Sequence, residues 1–283
     1  MMRSERTWEE AVRWLRGQPD QQTLVRACYL DDPLLEAARR FRASEEWRAV
    51  ESVLPSPPGW ALDLGAGRGI GSYALALAGW KVVALEPDRS ALVGSGAILS
   101  LAREAALPIL PLRGMAERIP LRDCSLGLVY ARQALHHAAD LDQACREAAR
   151  VLKPGGRLVA TREHVIDKSA DLERFRERHP LHRFYGGEMA YRLDEYLTAL
   201  RSAGLRVLQV LGPFESLMNL SPLPASGEPS TTGLRACAGR LVRRLAREHQ
   251  GPMPGLRARM ASLLSRLYRC PGRLYSFVAE RPV

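Results

Sequence analysis

Trp60-Ala61-Leu62-Asp63-Leu64-Gly65-Ala66-Gly67-Arg68-Gly69-Ile70-Gly71 is the stretch that decides the fold. A short apolar run ends in Asp63, and Gly65, Gly67 and Gly69 then occupy alternate positions. The helix-compatible Ser72–Gly79 follows, and a second apolar run, Trp80–Leu85, ends in Glu86. The pattern predicts strand, tight glycine loop, helix and strand, with an acid at the second strand's tip. Glycines let the backbone turn sharply and approach a ligand closely. An acid at that tip suits the two hydroxyls of a ribose. An adenosine-containing cofactor is therefore expected.

The residues also discriminate between cofactors. The dinucleotide fingerprint G-x-G-x-x-G should follow the strand directly. Starting at Gly65, its third position is Ile70; starting at Gly67, it is Ser72. A start at Gly69 permits Ala74 but begins too far past Leu64. A P-loop needs a lysine, and none occurs before Lys81. What remains is D-x-G-x-G-x-G.

That motif resembles the first motif of the class I S-adenosylmethionine-dependent methyltransferases, and the resemblance runs from about Trp60 to Gly212. Arg113–Pro120 resembles the segment that closes over adenine, and Ser125–Ala131 the fourth strand. Ala134-Leu135-His136-His137 resembles the turn after that strand, and Val151–Val159 the turn into the fifth. The LHH and VLKPGG segments are similar to the branch containing quinone-biosynthesis methyltransferases. One departure is Gly127, where the family often has an acid.

The resemblance implies S-adenosyl-L-methionine as cofactor and S-adenosyl-L-homocysteine as product. It implies that Asp63 reaches the methionine amino group and that Gly65, Ala66 and Gly67 make close backbone contacts. Glu86, beside Pro87, would hold the ribose. Met115 and Ala116 would flank adenine, Glu117 would accept from its amine, and Ala131 and Arg132 would touch the amino-acid end.

The resemblance also implies an α/β, Rossmann-like, seven-stranded, mostly parallel sheet of order 3-2-1-4-5-7-6, flanked by helices. Strands are expected near 60–64, 80–85, 108–112, 126–131, 156–162 and 205–211. Arg273–Glu280, which alternates, fits the closing antiparallel strand. Residues 1–54 are expected to form an N-terminal helical cap and 55–214 the cofactor-binding core. A basic helical insertion is expected over 215–271, and the final strand over 272–283.

In the cap, Trp8, Val12 and Leu15 fall at helical spacing, as do Leu34, Ala38 and Phe41 after Pro33. Trp47, Val50 and Leu54 continue the apolar series, and Pro55–Gly59 breaks the chain. In the insertion, Leu234, Cys237, Leu241 and Leu245 would line one helix, and Leu256, Met260, Leu263 and Leu267 another.

Bulk composition is that of a soluble protein: 283 residues, 46% hydrophobic and 25% charged. No run has the length of a membrane span. Met1–Glu10 lacks a secretory apolar segment, and Cys28, Cys124, Cys145, Cys237 and Cys270 form no C-x-x-C pair. A reduced, cytoplasmic setting is expected. Of the net charge of +10, Ser221 onward holds +8, from eleven arginines against three glutamates. Such clustering suits nucleic acid, an anionic membrane surface, an acidic substrate, or simply a solvated helix face.

Methyl transfer from a sulfonium is an in-line displacement, so the protein must align the nucleophile and, where needed, remove a proton. Five of six histidines follow the fourth and fifth strands: His136, His137, His164, His179 and His182. His137 and His164 are the candidate bases. His136, His182, Arg183 and Tyr185 are the candidate acceptor contacts. No metal is expected, because His179, His182 and Glu188 match no zinc spacing. A small-molecule, lipid or glycan acceptor is favoured. RNA methylation and non-catalytic cofactor binding are the alternatives.

Overall fold

The structure is a computed structural model that describes residues 7–178, 180–185, 188–220 and 255–283. Its strands are β1 (Trp60–Leu64), β2 (Lys81–Leu85), β3 (Ile109–Leu112), β4 (Leu126–Arg132), β5 (Leu152–Ile166), β6 (Tyr191–Arg192), β7 (Arg206–Leu211) and β8 (Arg273–Glu280). They form one sheet of order β3-β2-β1-β4-β5-β8-β7, with the two-residue β6 paired to β5. β8 runs antiparallel between β5 and β7, and the other pairings are parallel. Apart from β6, this is the expected order.

β5 is longer than the expected 156–162. Its pairing with β4 slips between Leu126↔Leu152 and Leu128↔Arg157, which absorbs Lys153–Gly156 as an irregularity within the strand.

Alternation along the strands sends side chains to two apolar layers. Ala61, Val82, Ala84, Leu128 and Tyr130 pack beneath α3 (Leu34–Arg42), α4 (Glu45–Glu51), α5 (Ile70–Leu77) and α6 (Ser95–Glu104). Leu62, Leu64, Val83, Val129 and Ala131 pack beneath α7 (Leu141–Val151) and α10 (Leu193–Ser202). Asp140 caps α7 as expected, accepting from the Gln143 amide at 2.8 Å. Gly204, with φ +79°, follows the end of α10.

N-terminal to the sheet lie α1 (Trp8–Arg16), α2 (Gln22–Ala27), α3 and α4. Two arginines hold this segment against the core, Arg68 buried and Arg132 largely so. Arg68, from the glycine loop, donates to the Tyr29 and Asp31 carbonyl oxygens at 3.0 and 2.9 Å and pairs with Asp32. Arg132, at the end of β4, grips the fully buried Glu46.

Beyond β5 come α8 (Asp171–Glu177) and α9 (Pro180–Tyr185); beyond β7, α11 (Leu217–Leu220) and α12 (Leu256–Leu267). The basic helix expected around Leu234, Cys237, Leu241 and Leu245 lies outside the described residues. In α12 the expected apolar face is corrected. Met260, Leu263 and Leu267 are exposed, whereas Ala261 and Ser265 are buried. Ser265 is drawn inward because its hydroxyl accepts from the Phe214 amide at 3.0 Å.

No described helix is long and apolar enough to cross a membrane.

Candidate active site

A cavity of about 420 Å³ opens at the carboxyl ends of β1, β2 and β4. Open α/β sheets place their ligands at that edge, and ligand sites occupy roughly 300–1,000 Å³. Its lining contains Asp63, Gly65, Ala66, Gly67, Glu86, Pro87, Met115, Ala116, Glu117, Arg132, His136, His137, His164, His182, Tyr185 and Glu188. One side therefore carries most of the expected cofactor residues and the other the histidines.

The glycine loop makes the cofactor side accessible. Gly65 has φ +67°, and a Cβ there would lie 2.7 Å from the Ala134 Cβ, so only glycine lets the loop pass the β4 turn. Gly67, at φ +54°, faces nearly open space.

The Glu86 carboxylate is fixed by two backbone donors, Gly67 N–H to Oε2 at 2.8 Å and Asp88 N–H to Oε1 at 3.0 Å. Each oxygen keeps a further lone pair. Burial raises the Glu86 pKa, and these donors oppose the shift. Asp63 is 2% exposed and accepts from the Ser72 hydroxyl at 2.6 Å. Burial pushes it up to about 6, with Ser72 pulling the other way.

Met115 is 54% exposed, an apolar side chain at the mouth of the cavity. Glu117 accepts from the Ala139 amide at 2.7 Å through Oε1, while its buried Oε2 has no hydrogen-bond partner. An amine donor would satisfy that oxygen.

At the end of β4 the side chains of Ala131 and Arg132 differ in where they go. The Ala131 side chain points into the apolar layer, is fully buried and does not line the cavity, because β4 alternation turns it away. Arg132 lines the cavity, and its guanidinium is held by Glu46: Nε and Nη2 donate to that carboxylate at 2.6 and 3.2 Å, and it lies 5.2 Å from the Phe41 ring centroid.

Histidines form the opposite wall. A β-bulge sets Thr161 and Arg162 against Ser276 alone, since Ala160 pairs with Phe277 and Glu163 with Tyr275. Just past it Glu163, fully buried, gathers the turn after β4. Its Oε1 accepts from the Ala134 and Leu135 amides at 3.1 and 3.2 Å, and its Oε2 from the His136 amide at 3.0 Å. Oε2 also lies 2.7 Å from His136 Nδ1, and His136 Nε2 lies 3.1 Å from Glu188 Oε1.

Burial alone would lower His136, but the two carboxylates outweigh it and raise it to about 9. Burial would raise Glu188, yet the His136 hydrogen bond and the surrounding histidines hold it well below the usual carboxylate range. Desolvation, then the positive charge of His136, lower His137 to about 4. The same two causes hold His164 well below its ordinary value, so both rings are neutral at neutral pH.

Trp8, Cys28, Tyr29 and Leu30 complete the lining from the N-terminal segment, with Tyr185 edge-on to Trp8 at 5.3 Å. Arg183 lies within α9, and its side chain is outside what the structure describes; His179 lies outside the described residues. Sequence reasoning did not assign Glu163, Arg68 or Glu46. Each acts through a partner more than 25 residues away, and no local spacing signals it.

A family model described as a methyltransferase domain matches residues 62–160, the stretch that carries the glycine loop, Glu86 and Glu117. Residues 62–160 are thus similar in sequence to a methyltransferase domain. The chain is 39% identical over 122 residues to an uncharacterized methyltransferase of Mycobacterium tuberculosis, covering 43% of this chain and 47% of that one. It is 41% identical over 91 residues to 27-O-demethylrifamycin SV methyltransferase of Amycolatopsis mediterranei, covering 32% and 33%. The chain thus spans about half the length, or less, of these relatives. In fold, it is similar to geranyl diphosphate methyltransferase in complex with GPP and sinefungin. The TM-score is 0.61 at 15% identity, over 97% of this chain and 98% of that one. The same enzyme in complex with SAM gives 0.58 at 15% identity, over 95% and 94%.

Proposed function

We propose that this chain is an S-adenosylmethionine-dependent methyltransferase acting on a small-molecule acceptor, a lipid or glycan precursor included. One observation carries the reading. The methyltransferase motif residues and a wall of histidines line the same cavity, which the N-terminal segment helps to enclose. The named rifamycin relative, a methyltransferase of a small molecule, supports that acceptor class.

The cofactor, when bound, supplies an electrophilic methyl group. The chain's residues supply placement. Asp63 pairs with the methionine amino group, Glu86 accepts from both ribose hydroxyls, Met115 and Ala116 flank adenine, and Glu117 Oε2 accepts from its amine. Gly65, Ala66, Gly67 and Pro87 give close contacts. His137, partly exposed and neutral, is the proton acceptor for the attacking group. His182, Arg183 and Tyr185 hold the acceptor, and the segment 1–54 acts as its cap.

The test is to incubate the protein with methyl-labelled S-adenosylmethionine and an extract of its source, then separate small molecules from RNA. Label in a small-molecule fraction is expected. Label confined to RNA contradicts the acceptor class.

A further inference from the structure

Three ring and carboxylate atoms converge where the cavity is deepest in histidine. The Gly272 carbonyl oxygen can only accept, so His164 Nδ1, 2.9 Å away, carries the proton, and Nε2 of the neutral ring presents a lone pair. That Nε2 lies 3.9 Å from Glu188 Oε1. Glu163 takes His136 Nδ1–H, so His136 Nε2 faces the same Glu188 oxygen, at 3.1 Å. His182 Nε2 approaches this oxygen too, at 3.4 Å. Atoms of His136, His164 and Glu188 all lie within 4.8 Å of one another, and all three residues are buried. Glu188 Oε2 is buried with no hydrogen-bond partner. Without a metal, a second proton on His136 lets Nε2–H donate to Glu188, and metal binding would displace that proton. Even then the His164 Nε2 lone pair faces the Glu188 carboxylate.

We propose that His136 Nε2, His164 Nε2 and the Glu188 carboxylate bind one divalent first-row transition metal ion of the Zn²⁺ type, with a further position open to the cavity. The donor set is two imidazoles and a carboxylate, as in hydrolytic zinc sites. Ligands at about 2.0–2.1 Å from a tetrahedral ion stand roughly 3.4 Å apart, which the 3.1 and 3.9 Å separations bracket. Ligating histidines characteristically donate their second ring N–H to a carboxylate or a backbone carbonyl. His136 does the first, to Glu163, and His164 the second, to Gly272. The outer hydrogen bonds of a metal site are thus already built. His164 becomes a ligand in this account, and proton transfer stays with His137.

The open position deepens the methyltransferase reading, on which it rests: the acceptor there is a metal-binding hydroxyl. Coordination lowers the pKa of a bound oxygen acid. The acceptor R–OH gives its proton to His137 or solvent. Its oxygen lone pair then forms the new bond to the methyl carbon, the carbon–sulfur bond breaks with its pair passing to sulfur, and the products are R–O–CH₃ and the thioether.

The test uses the full chain without a histidine tag, stripped with chelator and titrated with Zn²⁺ and, separately, Co²⁺. One equivalent per chain by elemental analysis is expected, with Co²⁺ absorption bands showing imidazole and carboxylate ligation. Glu188→Gln and His164→Ala should lose stoichiometric binding, while Glu163→Gln should weaken it about 10–100-fold. Melting shifts with S-adenosylmethionine in the same variants report whether they fold and keep the cofactor site. No Zn²⁺ or Co²⁺ bound by wild type, or equal binding by Glu188→Gln, overturns the metal site. If cofactor binding persists in either case, the methyltransferase reading survives its loss.

Discussion

Glu86 and Gly67 are joined across the cavity mouth: the Gly67 amide donates to Glu86 Oε2 at 2.8 Å. The acid at the tip of β2 is thereby fixed against the glycine loop of β1 before any ligand arrives, with its second oxygen held by the Asp88 amide. Glu86→Ala removes the ribose acceptor, and hydrogen bonds to a charged group contribute about 1.5–3 kcal/mol each. Calorimetry should show S-adenosylmethionine binding weakened by at least about tenfold. Glu86→Gln should be nearly as damaging, because an amide nitrogen would face a backbone N–H.

Asp63 predicts a pH dependence. Its pKa stands near 6 in the folded chain, raised by burial from 3.8. The folded state therefore binds the extra proton between those values. This contribution to stability is fully present below about 3.8 and is lost as pH rises through about 6. Binding of a cationic amino group needs the carboxylate form, so cofactor affinity should run the opposite way and tighten as pH rises from 5 to 7. Titrations at fixed ionic strength check this, and Asp63→Asn should flatten both trends.

The Glu46–Arg132 pair couples α4 to the end of β4, with Glu46 wholly buried and Arg162 another 3.9 Å away. Glu46→Gln leaves two buried guanidinium groups without their counter-charge. Urea denaturation should show a loss of about 3–5 kcal/mol, the usual consequence of breaking a buried pair from one side. Removing Glu46 and Arg132 together in Glu46→Leu/Arg132→Met leaves only Arg162 without that carboxylate and should recover part of the loss. A single-mutant loss below 1 kcal/mol contradicts the tethering role.

Glu117 combines two tasks, and its variants should separate them. Oε1 holds the Ala139 amide, while Oε2 is left for a ligand. Glu117→Gln should keep the fold, yet discriminate less between adenine and inosine forms of the cofactor, since an amide can also donate. Competition binding with the two nucleosides measures this ratio; an unchanged ratio removes Glu117 from adenine recognition.

The sheet was legible in the sequence because its signals are local. Asp63 ends one apolar run, Glu86 the next, and the glycines between them admit few backbone paths. Met115 and Glu117 were legible through the same ordered motifs. The Arg132 side chain's partner was not legible, because adjacency to β4 says nothing of the Glu46 carboxylate 86 residues earlier. The α12 stripe misled because helical spacing identifies an apolar face without saying whether anything covers it. Glu163, His136, His164 and Glu188 meet only through a bulge and a turn; their sequence separations of up to 52 residues follow no motif.

The central claim is that the cavity beside the glycine loop holds S-adenosylmethionine, and thermal melting with ligand tests it most directly. A ligand that binds only the native state stabilises it by about 2.7 kcal/mol at a hundredfold excess over Kd. The melting temperature should rise with S-adenosylmethionine and with S-adenosylhomocysteine, and should not move with NAD. A rise with NAD and none with either sulfur nucleoside would contradict it.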